Sequence, residues 1–510
     1  MPAAGIVMPQ RGTGRRSSTR TSTRAMTDIP AHPGARDINE AFRGGGRSVE
    51  FLDRINKASI VMLTETGIVP RALGSAIAKG IAQVLAQPRG AEGRSADYLD
   101  YEPRLVAVAG PDASRLHTGR SRQDLSSTIA RMNLRDGLLH EIEALVTARD
   151  KLLGLASRHT ETIIPAYTHG VQAQPTTFAH YLLALAAALG RQVERMREVY
   201  ARVNRSPLGA AALATSSFPL DRERLAVLLG FEGLVENAYD ANHLGPVDSA
   251  LEVAGALSIA GIQIGQFAQD IHAQYAEPVP WFMLAAGELT GVSSIMPQKR
   301  NPAALEQLRA QASILLGEMQ TVSLIAHNNR TGMFDYRAYD PVPFARALQV
   351  FKLLQQVVDG IVVDKARALA EVHADYSTTT EIADALLQRA DVPFRVGHHF
   401  ASRLTDYGRS RGIRLHDIPY AEAARLYEAQ TTQPFPLTEA VFAEVISAEY
   451  MVFGRKGIGG PQLAEVERML SNERGNAAHE REWLKACEDH LARAEAALEQ
   501  AFGALAAPVG

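Results

Sequence analysis

Residues 251–265 read LEVAGALSIAGIQIG, the centre of a stretch over 249–271 in which apolar or small residues fall on nearly every side of a helical wheel. A helix on a surface keeps a polar stripe toward water, so a helix without one is enclosed by other helices. Its alanines and glycines allow those neighbours to approach closely. The expected fold is therefore a helical bundle. A further long helix is predicted from about Thr177, where Leu182, Leu185, Leu189, Val193, Met196, Tyr200 and Val203 recur at three-and-four spacing, with Arg191, Glu194, Arg195 and Glu198 mainly elsewhere. At ~1.5 Å per residue it would span roughly 40 Å, a length that suits a bundle. Helical patterns also cover 303–326, 343–368 and 379–389, and no period-two alternation is sustained.

Short helices are predicted from Ile38 to about Gln87, with Gly67 and Pro70 as a break. Beyond about Asp375 the helical pattern shortens, with breaks at Pro393, Gly412, Pro419 and Pro434, and an Ala- and Glu-rich helix covers 480–505. These shifts divide the chain into a basic tail over 1–36, an N-terminal helical domain over 37–125, a central bundle over 126–375 and a small C-terminal helical domain over 376–510. In the tail, Arg11, Arg15, Arg16, Arg20 and Arg24 alternate with serines and threonines, and no acid precedes Asp28. The pattern is that of a disordered basic segment more than of an organellar transit peptide, because it lacks an apolar face. Met8 and Met26 leave open a start further downstream.

The whole chain has 510 residues, 46% hydrophobic and 21% charged, an ordinary globular composition. Its 53 Lys+Arg are balanced by 56 Asp+Glu, which argues against bulk nucleic-acid binding. No uninterrupted apolar run is long enough to cross a membrane, so neither nucleic acid nor membrane is expected as a partner. A single cysteine, Cys487, excludes an intramolecular disulfide framework and any multi-cysteine metal site, and it fits a reducing cytoplasm.

Three polar islands interrupt the helices. Residues 115–124 read RLHTGRSRQD, whose guanidinium groups suit carboxylate or phosphate recognition; a solvated basic turn is the plainer alternative. Residues 165–175 read PAYTHGVQAQP and place Thr168 and His169 just before the Thr177 helix; His169 is a candidate proton donor or anion partner, or a capping residue. Residues 291–302 read GVSSIMPQKRNP, where Gly291, Pro297 and Pro302 predict an ordered loop carrying two serines, a lysine and an asparagine. Catalytic groups often sit on such loops, and so do simple interhelical connections.

In this order the islands resemble the three regions that build the active site in the aspartase/fumarase superfamily, with the nearest likeness to argininosuccinate lyases. The first is similar to HTGRSRND, the second to THxQxAQP and the third to GSSxMPxKxNP. SPLGAAALATSSFPLDRE at 206–223, LLGF at 228–231 and VPFR at 392–395 also match. The resemblance implies an all-α, three-domain fold with a central long-helix bundle forming a tetramer core, and sites shared between three subunits. It implies reversible elimination of an amine from a substituted succinate, releasing fumarate with no metal or organic cofactor. By similarity Ser293 is the general base, supported by Ser294, with Lys299 supplying positive charge and His169 assisting the leaving group. Ser121, Arg122, Gln123, Thr168, Met296 and Asn301 are the implied contacts to substrate.

The departures bear on the substrate. Gln123 stands where those lyases have Asn, Gly170 and Val171 replace Leu-Gln, and Val292 replaces a glycine. The family's EDxH histidine aligns loosely with Tyr98. After the signature, AYNxDxQxDK is replaced by AHNNRTGMFDYR at 326–337, so that His327, Gly332 and Asp335 occupy the Tyr, Gln and Lys positions that grip arginine. The expectation is a carbon–nitrogen lyase acting on an N-substituted L-aspartate whose amine is not necessarily arginine, such as an aminopolycarboxylate of the ethylenediamine-N,N′-disuccinate type. His327, Arg330, Tyr336 and Arg337 are the candidate contacts to its far end. Argininosuccinate lyase is the alternative, and a catalytically silent, crystallin-like structural protein a further one.

Overall fold

The structure, a computed structural model, describes residues 47–89, 93–276, 280–333, 342 and 344–507. The basic tail expected over 1–36 and the candidate contacts Tyr336 and Arg337 lie outside the described residues. The chain is all-α. α1 (Ser48–Glu65) and α2 (Arg71–Leu85) are separated where Gly67 takes φ +73°. The Asp97 carboxylate accepts the Leu99 N–H and so starts α3 (Tyr98–Ala109). The apolar faces of these helices close on Phe51, Ile55, Ile77, Ile81 and Leu105.

The bundle is built by α4 (Arg122–Ser157), α5 (Phe178–Val203), and, after the short α6 (Arg222–Leu228) and α7 (Ala238–His243), by α8 (Gly245–Tyr275), α9 (Ala303–Ala326) and α10 (Phe344–Asp359). α5 begins as predicted: Thr177 Oγ1 accepts the His180 N–H, and Leu182, Leu189, Val193, Met196, Tyr200 and Val203 are buried. α8 packs on α5 and α9, and a Cβ at Gly261 would lie 3.2 Å from Leu315 Cδ2, which shows how closely α9 approaches. By length and composition α8 could cross a membrane, but half of its most apolar window is buried among these helices.

α4 carries no clean amphipathic pattern because buried polar groups interrupt its apolar surface. Arg131 Nη1 donates to the carbonyls of Arg202 (2.9 Å) and Val203 (3.1 Å), capping the end of α5. Arg135 does the same for α6 through Leu229 O and Gly230 O, each at 3.1 Å. Arg149 joins three helices: Nε donates to Ala186 O at 3.0 Å, Nη2 to Glu473 Oε2 at 2.6 Å and Nη1 to the Glu480 carboxylate. Gly190 makes room for it, since a Cβ there would come within 2.9 Å of Arg149 Nη2.

α11 (Lys365–Ala374) leads to α12 (Thr379–Ala390), α13 (Phe394–Arg411), α14 (Tyr420–Thr431), α15 (Glu439–Val445) and α16 (Ala448–Phe453). Phe400, Tyr427, Phe435 and Phe442 lie at the heart of their separate apolar cluster. The last helix, α17 (Leu463–Ala506), starts well before the predicted 480–505 and returns to the bundle, burying Val466, Leu470 and Leu484 there and Leu498 and Phe502 against α1 and α2.

Among the described residues strands are few and short: β1 (Ile163–Thr168), β2 (Val171–Thr177), β3 (Phe282–Leu284), β4 (Gly291–Val292), β5 (Arg300–Asn301) and β6 (Ile361–Val363). They form three antiparallel pairs, β1–β2, β3–β6 and β4–β5. Two of these pairs carry polar islands.

Candidate active site

The signature loop stands on a narrow ladder. Gly291 pairs with Asn301 and Val292 with Arg300, so residues 293–299 project as a closed loop. The Met296 N–H donates to Ser293 Oγ at 3.1 Å, and the Lys299 N–H donates to Met296 O at 3.0 Å. A serine oxygen that accepts a fixed N–H dipole is eased toward its anion. The Tyr275 hydroxyl donates to Arg300 O at 2.9 Å, tying the loop base to the end of α8. Ser293 and Asn301 are half-buried, whereas Ser294, Met296 and Lys299 are exposed and Ile295 is 83% exposed. Val292, in the glycine position of the signature, points to solvent at 77% exposure and meets no steric obstacle.

PAYTHGVQAQP is a β-hairpin, not an irregular segment before α5. Thr168 pairs with Val171, and the two residues between them, His169 (φ +55°) and Gly170 (φ +75°), form a tight turn with both residues left-handed. Gly170 therefore has a conformational reason to stand where a leucine is usual. Thr168 and His169 are exposed at the tip. The hairpin is pinned from the C-terminal side: Gln172 Nε2 donates to Ser377 Oγ at 3.1 Å and Gln174 Nε2 to Thr380 Oγ1 at 3.4 Å.

The first island opens α4 with a capping box. Ser121 Oγ accepts from Gln123 N at 3.2 Å, and Ser121 N donates to Asp124 Oδ1 at 2.9 Å. Asp124 is fully buried, and its Oδ2 accepts the N–H groups of Gly209 (3.0 Å) and Ala211 (3.1 Å), which draws the SPLGAAAL loop onto this turn. Burial pushes its carboxyl up to about 6, against the pull of the three N–H groups and Arg120. Arg122 Nη2 is held 2.8 Å from Asp97 Oδ2. Gln123 turns away from the turn: its Nε2 donates to Asn242 O in α7 at 3.2 Å. Tyr98 is stacked on His117 with centroids 4.3 Å apart and lies under the Arg120 guanidinium at 4.8 Å. Burial, aided by Arg120, lowers the His117 pKa to about 4, so this imidazole is neutral at pH 7.

His327 caps α9 in extended conformation, and it and Arg330 are exposed. The segment that follows leans on α7. Tyr239 Oη and Thr331 Oγ1 are 2.8 Å apart, and a Cβ on Gly332 (φ +82°) would come within 2.9 Å of the His243 ring.

Within one chain these pieces occupy two ends of α8. Gln123, Asn242 and residues 327–332 gather at its beginning, where Arg131 also reaches Gly245 O. At its other end Tyr275 holds the signature loop, and Gln274 Oε1 accepts from Tyr167 of the hairpin at 3.1 Å. With 31 residues in α8, the ends lie roughly 46 Å apart at ~1.5 Å per residue.

A family model described as lyase matches residues 104–317, and one described as argininosuccinate lyase C-terminal matches 376–452. Argininosuccinate lyase 2 of Agrobacterium fabrum is 33% identical over 482 residues, covering 90% of this chain and 92% of that protein. Argininosuccinate lyase 1 of Shouchella clausii is 30% identical over 434 residues, covering 82% and 86%. The chain belongs to the argininosuccinate lyase family. Among solved structures, EDDS lyase in complex with formate matches with a TM-score of 0.82 at 29% identity, over 92% of this chain and 93% of that one. A variant of EDDS lyase with bound fumarate matches equally well, and a class II fumarase from Schistosoma mansoni shares the fold at TM-score 0.61 and 16% identity.

This member of the argininosuccinate lyase family and of the wider aspartase/fumarase superfamily is a carbon–nitrogen lyase that releases an amine and forms fumarate. Asp97, Asp124, Asn242 and Tyr275, none of them singled out by the sequence motifs, hold its candidate residues in place. Asp124 had a legible signal, because Ser121 followed three residues later by an acid is a capping box. The other three act through contacts distant in sequence.

Proposed function

We propose that this lyase eliminates an amine other than arginine from an N-substituted L-aspartate, with an aminopolycarboxylate of the ethylenediamine-N,N′-disuccinate type as its substrate class. The observation that carries the proposal is Gly332. Where an arginine-gripping lyase places Gln, this chain has a residue in left-handed conformation packed against His243, with no room for a side chain. The similarity to EDDS lyase over nearly the whole chain supports the same class.

Ser293 Oγ, as the anion, takes the Cβ proton of the succinyl moiety. The C–H electron pair becomes the double bond of fumarate, and the C–N pair leaves with the amine, which His169 protonates. The Met296 N–H eases ionisation of Ser293, Lys299 offsets the charge of the enolate-like dianion, and Asn301 donates to the same carboxylate end. Ser294 supports the base, and Met296 flanks the substrate. Ser121 and Arg122 hold a carboxylate, Thr168 anchors the fumarate portion, and Gln123 sets the turn beside them. His327, Arg330 and Tyr336 meet the distal carboxylates of the amine.

A site of this kind needs residues from opposite ends of α8, so neighbouring chains complete it, in a homotetramer with three subunits contributing to each site. Exposed Ile259 and Ile262 on α8 and Ile314 and Leu324 on α9 supply apolar surface for that assembly. Mixing Ser293→Ala protein with Arg122→Ala protein and reassembling them should restore part of the activity that both lack; no recovery would overturn the shared site.

The substrate is tested by the absorbance of released fumarate on incubation with ethylenediamine-N,N′-disuccinate, a panel of N-substituted aspartates, and argininosuccinate. Turnover of the first group without the last supports the proposal. Preferential cleavage of argininosuccinate would establish the second reading, which the 33% identity to an argininosuccinate lyase favours. A folded oligomer that turns over none of them would be a silent structural protein.

A further inference from the structure

The C-terminal cluster contains an open cavity of about 730 Å³ whose lining includes none of the residues assigned to the elimination. It lies between the end of α12, one face of α13 and the end of α14, with Asp391, Val392, His399, Arg403, Tyr427 and Gln430 in its wall. Small-molecule sites usually fall at ~300–1,000 Å³ and combine an apolar wall with a few placed polar groups.

The wall specifies a ligand chemistry. Gln430 Nε2 donates to Val396 O at 2.9 Å, which fixes the amide in the wall. Arg403 and Asp391 line the same cavity, yet among the described residues neither forms an ion pair, with the other or elsewhere. A guanidinium and a carboxylate held apart in one cavity match a molecule that carries both a carboxylate and an ammonium group. Val392 and Tyr427, 9% and 4% exposed, offer the apolar wall. The left-handed Asp391 (φ +56°) ends α12 and turns the chain into this wall.

We propose that this cavity binds a free zwitterionic α-amino acid, with its carboxylate on Arg403, its ammonium toward Asp391, and its side chain against Val392 and Tyr427. The site is separate from the elimination residues. α12 nevertheless runs from one to the other, its first turn receiving Gln174 of the His169 hairpin and its last turn ending at Asp391. The helix between them is about 18 Å long at ~1.5 Å per residue.

Isothermal titration of the full-length protein with each proteinogenic L-amino acid in turn tests this. At least one should bind saturably with one site per chain, Arg122→Ala, which removes the carboxylate contact proposed for the elimination site, should bind it as the native protein does, and Arg403→Gln and Asp391→Asn should each weaken it by about tenfold or more, as loss of a charge-assisted contact does. Both substituted side chains are exposed, and unchanged melting temperatures verify that the variants fold. The proposal is overturned if no amino acid binds, if neither Arg403→Gln nor Asp391→Asn alters the affinity, or if Arg122→Ala abolishes binding and so locates it at the elimination site.

Discussion

Replacing Glu141 by glutamine should stabilise the folded chain, and more so as the pH rises. Glu141 lies in α4 at 1% exposure, with Oε2 buried and without a hydrogen bond among the described residues. Burial pushes its carboxyl from the ordinary 4.5 up to about 9, with a Leu348 backbone contact and Lys352 offsetting only part. The folded chain thus keeps this proton to about pH 9, whereas the unfolded chain releases it near 4.5. Between those values the folded state binds more protons, so stability is lost as pH rises. At pH 7, some 2.5 units above the unfolded value, the loss is about 3 kcal/mol at ~1.4 kcal/mol per unit. Glutamine keeps the shape and has no proton to release. The extra N–H it buries adds an offset independent of pH, so the slope is the test. Denaturant midpoints of native and E141Q protein, compared between about pH 5.5 and 8.5, should diverge by roughly 1 kcal/mol per pH unit in favour of the variant. A gap that stays constant, or one that turns toward the native protein at high pH, would refute a protonated Glu141.

Ser293→Ala should lower fumarate release by about 10²–10⁴-fold, the usual worth of a positioned proton-transfer group, with the melting temperature unchanged; retained turnover would move the base elsewhere. Arg149→Ala leaves Glu480 buried without its partner and should destabilise the chain by about 3–5 kcal/mol, read as a lowered denaturant midpoint; a loss below ~1 kcal/mol would mean that water reaches Glu480. Gly332→Gln, which restores the family residue, should cost about 1–2 kcal/mol for a left-handed non-glycine residue, beyond the clash with His243, without conferring argininosuccinate cleavage. Argininosuccinate turnover by that variant would show that the amine segment can accommodate an arginine grip.

The helices that were legible in the sequence were those whose burial is one-sided or complete. α5 showed a clean face from Thr177 onward, and the all-round apolarity over 249–271 marked α8 as a helix inside a bundle. α4 was illegible because Arg131, Arg135, Glu141 and Arg149 interrupt its buried surface, and their partners lie in helices far along the chain. The β1–β2 hairpin was missed because its signal is the His169-Gly170 turn, while Pro165, Gln172 and Gln174 hide any alternation. The extent of α17 was missed for a related reason: its first turns are charged on the outside and bury only Val466 and Leu470. The candidate reactive groups are readable as candidates, since Ser293, Lys299 and His169 sit in short local motifs. What holds the candidate residues is not, because Tyr275 reaches the signature loop, Asn242 reaches Gln123 and Asp97 reaches Arg122 through tertiary contacts.

Two departures from the family pattern that look independent in sequence meet on α7. Gln123, a methylene longer than the usual asparagine, donates to Asn242 O. Asn242 in turn donates to Ala211 O at 2.7 Å and Ala212 O at 3.0 Å, which fixes α7 against the loop that Asp124 organises. On its other side α7 presents Tyr239 and His243 to Thr331 and Gly332. An asparagine at 123 would fall short of Asn242 O by about one carbon–carbon bond, ~1.5 Å, and a larger residue at 332 would strike His243. The turn proposed to hold the succinyl carboxylate and the segment proposed to meet the amine are therefore coupled through six residues. Gln123→Asn should accordingly raise KM most for substrates that differ in the amine and least for the fumarate product. An equal effect on both would confine Gln123 to its own turn and leave the amine to residues 327–332 alone.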